Sequence, residues 1–447
     1  MANTKPEYVR LPLRLKTKEG IWGRLKNIMF IASGVSQTIA SYYWYGPMVP
    51  TWSLRFHIIN NILKKYLAES LPHNTPNELS EQIDFGYIAE YIKMNNLPSR
   101  ALTEDIGHNK EFDITVDGDT CMEYKLSRYG VSGDKINVLA EEDLKRANYG
   151  QPRRVSCQIV VGSEFQRCSG CRTAVGPIPK MLEPEPLDLE ERIVVHFHGG
   201  AYCVGERSLT HLHVYARMSS STGLRVFSPN YRLAPQSCFP SQLHDCFLAY
   251  RDLLRRGFKP GNILLSGDSA GGALAIALVF VLREMQMEMP AGLMLVSPWV
   301  DSTCSGASWR TNQGRDYLPA LNLENPFHPT RMFYAAGRRF SKQMLEELRC
   351  PLVSPVFGDL SKMPPMLIQI GQNELLHDDI CDFADKAKKQ ADEKSEVPVV
   401  LLEVYEDMPH AFVLLDFAEA AMQAFEGMNR FAKQVVHLDS ANKKSLC

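Results

Sequence analysis

A chain of 447 residues, 45% hydrophobic and 22% charged, can bury one large core or two modest ones and has the make-up of a globular protein. Its formal net charge of -2 offers no broad basic surface, which argues against nucleic acid as a partner and leaves small molecules or lipids. Eleven cysteines, an odd number, and the lack of any Asn-x-Ser/Thr sequon fit a reducing compartment inside the cell, so secretion is not expected.

Residues 1–20 are polar and lack the apolar core of a cleavable signal. The stretch from Ile28 to Tyr45 is apolar but interrupted by Ser33, Ser36, Gln37, Thr38 and Ser41, too polar for a spanning helix. At helical period, Ile28, Ile31, Ala32, Val35, Ile39 and Tyr42 make one face. Basic residues Arg14, Lys16, Lys18, Arg24 and Lys26 precede it and aromatics follow, so residues 21–45 read as a peripheral membrane-surface helix or as a helix packed on the core. A second amphipathic helix is expected over Trp52 to Leu67, and residues 1–105 together read as an N-terminal helical cap.

Phe112 to Val116 and Met122 to Leu126, about Gly118-Asp119, predict a hairpin, with a further strand at Val155 to Val161. Cys168-Ser169-Gly170-Cys171 has redox or zinc spacing, but no second ligand pair lies near it, and two reduced surface thiols are the preferred reading. Pro177 to Pro186 is a surface connection.

After Asp188 strands alternate with helices. The strands are expected at Ile193 to Phe197, Leu224 to Ser228, Ile263 to Ser266, Gly292 to Val296, Met366 to Ile370 and Val399 to Val404. Helices are expected over Pro240 to Arg256 and Asp378 to Lys394. This is the pattern of an α/β fold with a mostly parallel central sheet and helices on both faces, whose ligand sits off the carboxyl ends of the strands. The rhythm breaks between Val300 and Pro351, where an insertion at about 304–350, with a helix over Thr330 to Arg339, would lie over that edge as a lid.

The chemistry gathers at the strand ends. Gly267-Asp268-Ser269-Ala270-Gly271-Gly272 stands between an apolar strand and an apolar helix, the sequence form of a nucleophile elbow. A side chain at either outer glycine would collide with a neighbouring element. A serine hydroxyl needs a base, and the base needs a carboxylate to fix its tautomer. His410, in the loop after the last strand, supplies the base. Among Glu374, Asp378 and Asp379, after the preceding strand, Glu374 is preferred because the two aspartates begin a helix, where acids serve as caps. His198-Gly199-Gly200-Ala201-Tyr202 offers an oxyanion site, with the N–H groups of Gly200 and Ala201, and of Gly199 as a third choice, joined by that of Ala270.

These stretches, with Asn230 to Pro235, Phe239-Pro240 and Ser297 to Asp301, resemble the hormone-sensitive lipase family of α/β-hydrolases, serine carboxylesterases and lipases, over more than half of the chain. The resemblance implies Ser269 as nucleophile, Glu374 as acid and His410 as base, with Gly199, Gly200, Ala201 and Ala270 as oxyanion donors. The family's acid is more often aspartate, which keeps Asp378 as a minority candidate. Tyr42 to Pro47, Trp52 and His57 are similar to fungal members, including steryl acetate deacetylases. The expectation is a catalytic domain over 106–447 that hydrolyses esters of short or medium acyl chains, possible lipid or steryl esters among them, with no metal or cofactor. The alternatives are an arylformamidase-like amidase and a non-catalytic binding protein on the same fold.

Overall fold

Strands β1 (His108–Val116), β2 (Arg153–Val161), β3 (Ile193–Phe197), β4 (Arg225–Pro229), β5 (Ile263–Asp268), β6 (Gly292–Val296), β7 (Met366–Gly371) and β8 (Val400–Tyr405) form one sheet, in the order β1-β2-β4-β3-β5-β6-β7-β8. The computed structural model describes residues 21–70, 108–117, 126, 128–165, 177–203, 205, 211–320, 322–325, 328–335, 338–391, 400–415 and 417–444. The strands from β3 to β8 run parallel, and β2 is antiparallel to both of its neighbours. The α/β class expected from the strand and helix rhythm is therefore the one observed.

The period of two along the central strands separates two cores. Ile193, Val195 and Phe197 of β3 pack on one face with Ile263, Leu265, Leu293, Leu295 and Ile368. Val194, Leu264, Met294, Val296 and Leu367 pack on the other. Nearly all are fully buried, each contributing on the order of 1.5–3 kcal/mol of transfer free energy.

The helices are α1 (Ile21–Tyr45), α2 (Leu54–Ser70), α3 (Val131–Asn148), α4 (Ile178–Met181), α5 (Leu212–Thr222), α6 (Ser241–Arg256), α7 (Ala270–Glu284), α8 (Ser308–Thr311), α9 (Pro329–Ala335), α10 (Lys342–Leu348), α11 (His377–Gln390) and α12 (Glu419–Lys444). Helix α7 is buried at every residue from Ala270 to Leu282, which is why it is apolar all round instead of striped.

Two features differ from expectation. Strand β1 pairs over nine residues with β2, with α3, which periodicity did not reveal, lying between them in sequence. Residues 122–125, the expected second arm, lie outside the described residues, as do residues 1–20, 71–107 and Cys168 to Cys171. The face of α1 is also rotated. Gly34 and Thr38 are buried, Val35 and Tyr42 half-buried and Ile39 exposed, and the Thr38 hydroxyl donates to the Gly34 carbonyl at 2.8 Å.

The N-terminal segment is joined to the sheet. Val49, Trp52 and Phe56 belong to the second core, and Trp52 Nε1 donates to the Asp407 carbonyl at 2.8 Å while Thr51 Oγ1 donates to Asp407 Oδ2 at 2.6 Å. At the end of α1 the side chains of Tyr43, Trp44 and Tyr45 are 76%, 83% and 83% exposed. Among the described residues no helix is long and apolar enough to cross a membrane.

Candidate active site

Ser269 follows the last residue of β5 and precedes the first of α7, with φ 53° and ψ -122°, a strained conformation held from both sides. Its N–H donates to the Val296 carbonyl and its own carbonyl accepts from Trp299 N–H, both at 2.9 Å. The turn is as tight as the glycines imply. A Cβ at Gly271 would stand 1.9 Å from the Phe197 carbonyl oxygen, and one at Gly267 would stand 2.4 Å from the Gly271 carbonyl.

Opposite the serine, the loops after β7 and β8 meet. Gln372 N–H donates to the Tyr405 carbonyl and Asn373 N–H to that of Met408, both at 2.9 Å, so the loop bearing Glu374 is tied to the loop bearing His410. His410 Nε2 lies 2.8 Å from Ser269 Oγ and His410 Nδ1 lies 2.8 Å from Glu374 Oε2, all three residues being buried. The second oxygen of Glu374 accepts from Gly371 N–H at 3.1 Å. Burial pushes the His410 imidazole toward the neutral form, but the hydrogen bond and charge of Glu374, with Asp316 and Asp268 behind it, outweigh burial and raise its pKa above 6.5.

The glycine turn after β3 corrects one expectation. Gly199 N–H donates to Asp268 Oδ1 at 3.0 Å and is spent there, because the carboxylate at the end of β5 fills the space where a Gly199 Cβ would stand. The N–H groups of Gly200, Ala201 and Ala270 have no hydrogen-bond partner among the described residues. Asp268 is a residue for which the motif alone suggested no role. His196 Nε2 and His211 Nε2 approach it at 3.1 and 3.3 Å; burial would raise its carboxyl, but the two histidines hold it well below the usual range.

Asp378 and Asp379 do not touch His410, and neither caps its own helix, whose N-cap residue is Leu376. They hold the insertion instead. Asp378 Oδ2 accepts from Ser308 N–H at 2.9 Å, capping α8, and Asp379 Oδ2 accepts from Trp309 Nε1 at 2.7 Å. The insertion contributes two residues that no spacing announced. Asn312 Nδ2 donates to the Glu374 carbonyl at 2.9 Å, and Asp316 Oδ2 accepts from Leu375 N–H at 2.7 Å.

A serine on a strand-to-helix elbow, with a carboxylate and then a histidine on the ends of later parallel strands, is the chain order and architecture of α/β-hydrolases. The alpha/beta hydrolase fold family matches residues 194–414. An acetyl-hydrolase of Streptomyces hygroscopicus is 36% identical over 229 residues, 51% of this chain and 69% of that protein. An esterase of Acinetobacter venetianus is 35% identical over 245 residues, covering 54% and 74%. The crystal structure of an esterase from the bacterial hormone-sensitive lipase family shares the fold with a TM-score of 0.56 at 22% identity, over 86% of this chain and 99% of that one. The chain belongs to the alpha/beta hydrolase fold family. It is an enzyme of the carboxylesterase and lipase class.

Asp379 generates a prediction about stability. Burial, with the charge of Asp301 nearby, lifts its carboxyl from 3.8 to about 7. The fold therefore keeps a proton that the unfolded chain releases, so this group's contribution is present at low pH and declines as pH rises toward 7. Asp379→Asn keeps an acceptor for Trp309 and carries no charge. Its melting temperature should change less between pH 5 and pH 8 than that of the wild type, and an unaltered pH dependence would refute the assignment.

Proposed function

We propose that this esterase works by a serine mechanism through an acyl-enzyme. The observation that carries the reading is the pair of 2.8 Å contacts that joins Ser269 Oγ through His410 to Glu374. Ser269 Oγ bonds to the ester carbonyl carbon while its proton passes to His410 Nε2, and the carbonyl π pair moves onto oxygen. Collapse of that adduct breaks the carbon–oxygen bond to the alcohol, whose oxygen takes the proton from Nε2. Water then repeats the sequence and releases the acid. Glu374 stays charged and holds Nδ1–H throughout. The N–H groups of Gly200, Ala201 and Ala270 meet the oxyanion, and Gly199 shapes the loop instead of donating.

The substrate is an ester of a short or medium acyl chain, lipid and steryl esters included. Support comes from the similar protein named an acetyl-hydrolase and from rigid rings beside the serine. Tyr202 stacks on Phe333 of α9 at 3.7 Å and lies 5.9 Å from Trp299, whose N–H binds the Ser269 carbonyl. In this reading residues 106–447 form the catalytic domain with the 304–350 insertion as lid, and residues 1–105 form the N-terminal cap. The enzyme works inside the cell, at a membrane surface that α1 meets with Tyr43, Trp44 and Tyr45.

Ser269→Ala should fold normally and lose turnover by on the order of 10⁴ to 10⁶. Glu374→Gln should depress turnover strongly, and a fluorophosphonate should label Ser269 in the native enzyme. Wild-type turnover in the alanine variant would end the reading.

Flotation tests the membrane contact. The full chain should rise with anionic liposomes and be partly released by high salt, whereas the chain starting near Gly46 should stay in solution. A full chain that never floats would leave α1 as part of the cap.

A further inference from the structure

We infer that Asp316, in the turn after α8, is a positioning residue for the acid and the base: it ties the Glu374 loop to the His410 loop and favours the charged imidazole that forms during turnover. The inference rests on the acyl-enzyme reading. Asp316 is completely buried, and its carboxylate is shared between the two loops. Oδ2 accepts from Leu375 N–H at 2.7 Å, next in the chain to Glu374, while Oδ1 accepts from the N–H of His410 itself and from Leu318 N–H, both at 3.3 Å. Four residues earlier, Asn312 Nδ2 donates to the Gln372 and Glu374 carbonyls at 3.2 and 2.9 Å, and its own carbonyl accepts from Asp316 N–H. One turn of the insertion thus grips the acid loop through three bonds and reaches the base through a fourth.

The charge has a second effect. His410 faces Ser269, Glu374, Asp268 and Asp316, with the Tyr317 ring 6.3 Å away. Asp316 in turn faces His410, Glu374 and Tyr317, and from α2 the Lys64 ammonium, which reaches the same turn 3.8 Å from where a Gly314 Cβ would stand. Burial pushes the Asp316 carboxyl up to about 6, so it is charged at neutral pH and adds to the upward shift of His410. When His410 takes the Ser269 proton, the resulting cation has Asp316 as a further buried carboxylate besides Glu374 and Asp268.

Three variants of the full chain test this, with kcat and KM for p-nitrophenyl acetate measured from pH 5 to 9. Asp316→Asn should lower kcat on the order of 10- to 100-fold with KM nearly unchanged, the scale expected when reacting groups lose their alignment. Its kcat/KM should also hold to lower pH, the acid limb moving down by about one pH unit because a neighbouring anion has gone. Asn312→Ala, which loosens the same loop but removes no charge, should lower kcat and leave that limb in place. Lys64→Met should also move the limb down, since Asp316 without its cation takes a proton at higher pH and lends His410 less negative charge.

A folded Asp316→Asn enzyme with the wild-type acid limb would overturn the inference, as would an effect on KM alone. If Asp316→Asn fails to melt cooperatively, Lys64→Met decides alone, and an unmoved limb there refutes the inference. Fluorophosphonate labelling of Ser269 in the wild type separates this outcome from failure of the serine mechanism, which would abolish labelling.

Discussion

A carboxylate buried as deeply as Glu374 is costly unless its oxygens are paired, and the fold around the site follows from that pairing. One oxygen binds the imidazole of His410 and the other the N–H of Gly371. Both partners come from strand ends, so the acid can be held only if β7 and β8 are in register and their loops closed on each other. The cross-loop bonds of Gln372 and Asn373 close them. With the imidazole fixed on one side, its other nitrogen has a single direction, and the elbow puts Ser269 there.

Two other parts of the chain converge on the same loops. The insertion reaches them through Asn312 and Asp316, and the segment between α1 and α2 reaches them through Thr51 and Trp52 at Asp407, three residues before His410. Asp407 has a left-handed backbone, φ 61°, a conformation that needs outside support in a residue with a side chain. The Glu374 and His410 loops are therefore braced by the insertion and by the N-terminal segment. This gives the N-terminal segment a structural part in the site, separate from its proposed contact with a membrane.

Features written locally were legible in the sequence. The central strands emerge within a residue or two of expectation because buried parallel strands are short apolar runs, and the elbow is legible because its glycines and serine form one short motif between an apolar strand and an apolar helix. Of Ser269, Glu374 and His410, named from order and strand position, His410 lies within hydrogen-bond distance of both of the others. What was hidden depends on partners far along the chain. The pairing of β1 with β2 spans α3; Asp378 and Asp379 look like helix caps until Ser308 and Trp309 arrive from the insertion; Gly199 looks like a free donor until Asp268 claims it. Asp316 carries no local signal, since its partners lie 59 and 94 residues away.

The central claim is that acyl groups pass through Ser269. Rapid acid quench during turnover of p-nitrophenyl acetate, followed by mass spectrometry of the peptide containing Gly267 to Gly272, tests it most directly. The account predicts a peptide heavier by one acetyl group in the wild type, accumulating further in His410→Ala after slow acylation and absent from Ser269→Ala. Turnover with no adduct on that peptide, under conditions where deacylation limits the rate, or an adduct on another side chain, would contradict it.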